Sequence, residues 1–274
     1  MFVLCLDWEP KRKLYKSMDD QLQKEICWLL EEKYEGKLTP EAQKDIARLE
    51  RGEHIDYVIG WVDFLECAID LSFKPLIPRP ETEYWTQKAI EEMQQRCAIG
   101  NWKSVKILDI FAGSGCVGVA VAKHIPQAAV DFAEKDGKLL EQIRINAQLN
   151  SIAPDQYRII QSDIFSNIIG KYDFILANPP YIPITRKGSV QESVLRQEPR
   201  EALFGGRDGL EYIRVFLEEA KKFLNPNGVI YMEFDEPEKE KIEEILKQCA
   251  YADWQFSKDQ YHRWRFLHIF ISSK

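Results

Sequence analysis

Cysteine is sparse in this sequence, and what there is stays scattered. The six residues Cys5, Cys27, Cys67, Cys97, Cys116 and Cys249 form no C-x-x-C pair. That excludes a disulfide framework and reads as reduced thiols in a cytosol-like compartment. Histidine numbers only four, none at metal-ligand spacing, so no metal centre is expected. No apolar run approaches the ~20 residues of a membrane helix. The apolar opening, residues 1–6, lacks a basic flank and is too short for a signal peptide. An excess of positive charge is missing too, because the formal net charge is −7. Proteins that live on a phosphate backbone usually carry a basic face. Lys11, Arg12 and Lys13 make only a small cluster, so no direct contact with nucleic acid is expected. Repeats and low-complexity blocks are absent. What remains is 274 residues, 45% hydrophobic and 30% charged, enough for one large domain or a medium one with a small appendage. The expectation is a cytoplasmic monomer with no membrane attachment.

The apolar spacing changes character along the chain. In the first ~50 residues it is helical. Leu22, Ile26, Leu29 and Leu30 form one stripe and Ala42, Ile46 and Leu49 another, with Gly36 and Thr39-Pro40 between them. Residues 55–64 and 68–77 are rich in β-branched and aromatic side chains and predict a hairpin. Pro75, Pro78 and Pro80 stop it and set up a helix near Glu81. From residue 105, predicted strands at 105–110, 129–133, 157–161, 172–177 and 228–234 alternate with predicted helices at 115–124, 136–150, 210–224 and 236–249. Segment 265–272 reads as a last strand, antiparallel to the rest. Such alternation implies a parallel sheet covered on both faces, with ligands at the carboxyl ends of its strands.

Two loops at those ends carry chemistry. After the first strand comes Asp109-Ile110-Phe111-Ala112-Gly113-Ser114-Gly115, where Gly113 and Gly115 let backbone approach a ligand. Gly113, Gly115 and Gly118 have the G-x-G-x-x-G spacing of a dinucleotide loop, so that reading stays open on this loop alone. Glu134 ends the second strand, where a carboxylate can take both ribose hydroxyls. Asp163 ends the third, where it can accept from an adenine amine while Ile164 packs the ring. The ordered set fits S-adenosyl-L-methionine. The plainer alternative makes Glu134 and Asp163 helix N-terminal residues favoured by the dipole.

After the fourth strand stands Asn178-Pro179-Pro180-Tyr181. Its prolines have no N–H, and Asn178 before proline is driven to an extended conformation. The turn is stiff, rich in acceptors and poor in donors, and an aromatic ring closes it. The Asn178 side-chain oxygen and the Pro179 carbonyl can accept both hydrogens of a planar –NH2 group. That leaves the nitrogen lone pair facing an electrophile, an arrangement suited to methyl transfer onto an amide or an aromatic amine.

With these motifs the sequence resembles the glutamine methyltransferases of peptide-chain release factors, the HemK/PrmC family, from about Tyr57 to the C-terminus. Five blocks carry the resemblance: 76–83 (LIPRPETE), 109–115, 178–182 (NPPYI), 198–203 with 205–210 (EPREAL, GGRDGL), and Asp259 with Arg263 and Arg265. The turn alone is shared with adenine and guanine amine methyltransferases. The resemblance implies an α/β fold, a Rossmann-like seven-stranded S-adenosylmethionine-dependent methyltransferase sheet. A small helical domain at 1–54 would dock the release factor, a β-hairpin at 55–78 would link, and 79–274 would be the methyltransferase domain. By position Asp109, Phe111, Ala112, Gly113, Ser114, Gly115, Glu134, Asp163, Ile164 and Asn178 would face the cofactor. Asn178, Pro179, Pro180 and Tyr181 would hold the glutamine amide, with Arg79 and Glu83 at its side. The plainer reading of Arg79 and Glu83 is an ion pair at a helix start, and of Tyr181 a core aromatic. Three positions depart from the family. Phe111 replaces a glycine and would reshape the methionine end of the pocket, Asp235 follows Glu233 where glycine is common, and His262 replaces another glycine. The N-terminal domain is shorter than usual by about two helices. Two rivals remain: a nucleic-acid amine methyltransferase using the same turn, and a cofactor-binding scaffold without activity.

Overall fold

A computed structural model of the protein describes residues 19–100 and 104–272. Cys5, the apolar segment 1–6 and the basic cluster Lys11, Arg12 and Lys13 lie outside them. The chain divides into two compact units, one ending at Gly60 and one beginning at Trp61.

The first unit holds α1 (Asp20–Tyr34), α2 (Pro40–Glu50) and α3 (Ile55–Ile59). The two apolar stripes are its core: Ile26, Leu29, Leu30, Ala42, Ile46 and Leu49 are buried, and Leu22 is half-buried. Thr39 caps α2 by accepting from the Ala42 N–H at 3.1 Å, and Pro40 occupies a first-turn position where no N–H is needed. Lys33 and Tyr34 of α1 donate to Asp45 of α2 at 2.8 and 2.7 Å, tying the two helices, and Arg48 within α2 donates to the same carboxylate at 2.9 Å. The hairpin expected from residue 55 does not start there. Residues 55–59 form a helical turn, capped by the His54 ring and ended by Gly60 at φ 98°. Ile55, Tyr57, Val58 and Ile59 are all buried, so packing overrides their β propensity.

The second unit opens with the hairpin proper, β1 (Trp61–Phe64) and β2 (Cys67–Asp70), shorter than the spacing predicts. There follow α4 (Pro80–Gly100), β3 (Val105–Ile110), α5 (Cys116–His124), β4 (Ala128–Glu134), α6 (Gly137–Leu149), β5 (Tyr157–Gln161) and β6 (Tyr172–Ala177). Short helices α7 (Glu192–Gln197) and α8 (Arg200–Leu203) precede α9 (Glu211–Glu219), β7 (Leu224–Glu233), α10 (Lys239–Gln248), β8 (Asp253–Lys258) and β9 (Trp264–Phe270). The large sheet runs β5-β4-β3-β6-β7-β9-β8. Its first five strands are parallel, and β9 is antiparallel to β7 and β8. The sheet is the Rossmann-like seven-stranded arrangement that the resemblance implies. Strand β8 escaped the sequence reading, although Trp254 and Phe256 alternate along it.

Burial follows topology. Strands β3 and β6 lie at the centre, and Ile107, Leu108, Ile110, Phe174, Ile175, Leu176 and Ala177 are at most 1% exposed. Such runs have apolar neighbours on both faces, as parallel strands require. From β3 the chain winds outward through β4 to β5, then returns to β6 on the other side of β3. The reversal opens a crevice at the carboxyl ends of β3 and β6, where open α/β sheets bind ligands.

Candidate active site

The loop leaving β3 needs unusual backbone. Phe111, Gly113 and Gly115 all have positive φ, 61°, 55° and 77°. For the glycines this conformation is free, but for Phe111 it is strained. His262 also has positive φ, 62°, whereas Asp235 has −96°. Two of the three departures from the family pattern therefore fall where backbone geometry itself favours glycine. The Phe111 ring compensates by packing edge-on to Tyr212 and against Phe216, with centroids 6.1 and 6.2 Å away. Asp235 instead pairs with Arg186 at 2.9 Å and Arg265 at 3.4 Å.

The loop is sewn to the next strand end. The Ala112 N–H donates to the Ala133 carbonyl at 3.1 Å. Glu134 receives the N–H of Gly113 on one carboxylate oxygen and that of Asp136 on the other, each at 2.8 Å. Burial nonetheless raises its pKa. Asp109 is 3% exposed and accepts from the Gly118 N–H at 2.9 Å. A Cβ on Gly118 would meet the Phe132 ring at 2.3 Å, so only glycine lets α5 approach this closely. Asp163 is exposed and paired with Lys135 at 2.9 Å.

Desolvation pushes the Asp109 carboxyl up to about 8, with Glu134 adding to the shift and the Gly118 N–H opposing it. The folded state thus holds a proton that the unfolded state releases near pH 4. This contribution to stability is complete below that pH and lost as pH rises through about 8. Between pH 5.5 and 8.5, without added ligand, the Tm of the native protein should fall by roughly 5 °C more than that of Asp109→Asn. Thermal melts across that range check this; parallel curves would refute it.

These strand ends border a cavity of about 460 Å³. Of the residues expected to bind cofactor or substrate, Asp109, Phe111, Ala112, Gly113, Ser114, Glu134, Asp163, Ile164, Asn178, Pro180 and Arg79 line it. Four do not. Gly115 is the N-cap of α5, and Pro179 is buried. The Glu83 carboxylate accepts the Leu65 N–H at 2.8 Å. The Tyr181 hydroxyl turns toward Glu233, 3.1 Å away. No Arg79–Glu83 pair forms; Arg79 pairs instead with the buried Glu198.

Glu233, at the carboxyl end of β7, had no assigned role, though an acidic residue at a strand end is the same signal Glu134 carries. It is 1% exposed and takes three donors: the Thr82 hydroxyl and the Trp85 indole N–H, each at 2.7 Å, and Tyr181. Burial raises its pKa, and those donors together with Arg265 oppose the rise. Thr82 also lines the cavity and receives the Asn178 side-chain N–H at 3.3 Å. Among the described residues no group of acidic, histidine or cysteine side chains could hold a metal ion, and no helix is long and apolar enough to cross a membrane.

A sheet of this topology, with an acceptor-rich turn beside a strand-end cavity, defines a methyltransferase, and comparison with known proteins agrees. A family model described as methyltransferase small domain matches residues 86–207. Among solved structures, a methyltransferase from Pyrococcus furiosus superposes with a TM-score of 0.54 at 21% identity, covering 83% of this chain and 98% of that one. The release factor glutamine methyltransferase of Francisella tularensis is 31% identical over 91% of this chain and 81% of its own. That of Lactococcus lactis is 29% identical over 88% of this chain and 90% of its own. The chain belongs to the family of release factor glutamine methyltransferases.

Proposed function

We propose that the protein transfers a methyl group from S-adenosyl-L-methionine to the side-chain amide nitrogen of a glutamine in the Gly-Gly-Gln loop of a peptide-chain release factor. The cavity suits the cofactor in size and chemistry. At about 460 Å³ it has the volume of a small-molecule site. Its wall offers acidic side chains at three successive strand ends, Asp109, Glu134 and Asp163, to a ligand that carries an ammonium, a ribose diol and an adenine amine; Asp109, protonated in the unliganded protein, would give up its proton beside the ammonium. The bound cofactor supplies an electrophilic methyl on a positively charged sulfur.

The observation that supports the acceptor reading most is the orientation of Asn178. Its amide N–H points at Thr82, so its oxygen is the end left for a ligand. Asn178 Oδ1 and the Pro179 carbonyl would take the two amide hydrogens of glutamine and hold the nitrogen in line. An amide nitrogen is a poor nucleophile, so alignment carries much of the rate. As positive charge grows on nitrogen its hydrogens turn more acidic, and both hydrogen bonds strengthen in the transition state. No strong base is required, because the proton can leave to water afterward. The N-terminal helical domain, residues 1–54, would dock the factor.

Incubation with an unmethylated bacterial release factor and methyl-labelled cofactor tests this reading. One methyl on the glutamine of the Gly-Gly-Gln loop is the expected product by mass mapping. Label on adenine or guanine amines of added nucleic acid, or on no acceptor, would overturn it.

A further inference from the structure

We propose that Glu233 and Thr82 form a positioning relay that fixes which end of the Asn178 carboxamide faces the substrate. The inference rests on the reading of this turn as a glutamine-amide site and adds to it the means by which the turn is kept acceptor-only.

With Glu233 ionised, as its donors and Arg265 favour, the hydrogen bonds have only one consistent direction. An indole N–H can only donate, so the Glu233 Oε2 that lies 2.7 Å from Trp85 Nε1 is an acceptor. Thr82 Oγ1 lies 2.7 Å from that same oxygen. A hydroxyl has a single hydrogen, and here the carboxylate takes it. Toward Asn178, Thr82 then presents lone pairs alone. The group facing them at 3.3 Å must be the –NH2 end of Asn178, and Oδ1 is driven to the opposite side. Were the Thr82 hydrogen free, the carboxamide could turn over. Its –NH2 would then confront the –NH2 of the substrate, donor against donor, and the nitrogen would not be held.

The carboxylate grips the other end of the turn directly. Its Oε1 accepts the Tyr181 hydroxyl at 3.1 Å. One buried side chain, 1% exposed, therefore orients both Asn178 and Tyr181. Thr82 is held rigidly for the task. It sits in the first turn of α4, is 2% exposed, and its carbonyl accepts the Thr86 hydroxyl at 2.7 Å. Glu233 and Thr82 are positioning residues: they act on the reaction through Asn178.

The test uses the full chain, an unmethylated release factor and labelled S-adenosylmethionine. Thr82→Val keeps the shape and removes the hydroxyl; Thr82→Ser keeps the hydroxyl. Thr82→Val should lower kcat about 30-fold, while KM for the factor and cofactor affinity by calorimetry stay within about threefold. Thr82→Ser should recover kcat to within about threefold of wild type. The relay is refuted if Thr82→Val turns over like wild type or if Thr82→Ser is as slow as Thr82→Val. Parallel losses of cofactor affinity and Tm would refute it too, because they mark a merely structural contact. If wild type itself does not label the glutamine, the functional reading falls and takes the relay with it. If wild type labels it and Thr82→Val does so equally fast, the relay alone falls.

Discussion

Asn178→Ala should lower kcat on a release factor by about a thousandfold while cofactor affinity falls less than tenfold. The asymmetry follows from where Asn178 stands. It closes β6 at the edge of the cavity, half-buried, with its amide N–H on Thr82. Truncation leaves the acidic side chains of Asp109, Glu134 and Asp163 in place, so most of the cavity wall survives. What disappears is one of two acceptors for a group whose hydrogens become acidic only as the methyl arrives. Removing one such preorganised partner costs roughly 3–4 kcal/mol at the transition state, or 10²–10³ in rate. The freed glutamine nitrogen would also rotate, adding an alignment loss. Single-turnover kinetics beside calorimetric titration of the cofactor check both halves. Turnover within a few-fold of wild type would remove Asn178 from the chemistry. Equal losses in turnover and cofactor affinity would make it a binding residue instead.

How much of this could be read from the chain depends on the distance over which each feature is determined. The β/α alternation, the loop after β3 and the carboxylates at strand ends are local, and periodicity with turn chemistry exposes them. Their meeting in one cavity follows from parallel topology, because every βα unit presents its strand end on the same side. The relay could not be seen in this way. Thr82 and Glu233 are 151 residues apart in sequence and meet only because α4 packs on the sheet beside β7. Likewise Arg79 looked like a partner for Glu83, four residues on. The fold offered it Glu198, 119 residues away. Residues 55–59 misled for the opposite reason: a short β-branched segment has strand propensity, yet its burial decided for a helical turn. Phe111 and His262 announced themselves only as odd residues at glycine positions. Their φ values of 61° and 62° explain why glycine is the easier choice there.

The Gly205-Gly206-Arg207-Asp208-Gly209 segment carried much of the resemblance without an evident physical reason, and its packing gives one. Residues 182–184 and 203–206 hydrogen-bond as a small clasp: Ile182 N–H to Leu203 O at 3.0 Å, Gly205 N–H to Ile182 O at 3.0 Å, and Ile184 N–H to Gly206 O at 2.9 Å. The clasp lies directly on the Asn178-Pro179-Pro180-Tyr181 turn. A Cβ on Gly205 would stand 2.4 Å from the Pro180 carbonyl oxygen and 2.6 Å from that of Gly209. Both obstacles are backbone, so neither can swing aside as a side-chain tip would. Restoring ordinary contact requires the turn to retreat by roughly 1 Å, and such a displacement costs about 100-fold in rate when alignment is the source of catalysis. Gly205→Ala should therefore lower kcat about 100-fold and Tm by a few degrees, with overpacking costing about 1–3 kcal/mol. Cofactor affinity should change less than threefold, because Gly205 does not line the cavity. Gly188→Ala provides the control, since nothing lies within 4 Å of its added Cβ; it should match wild type in both rate and Tm. Wild-type turnover in Gly205→Ala would mean that the turn tolerates displacement, and that the rate does not depend on the rigid placement of Asn178 and Pro179.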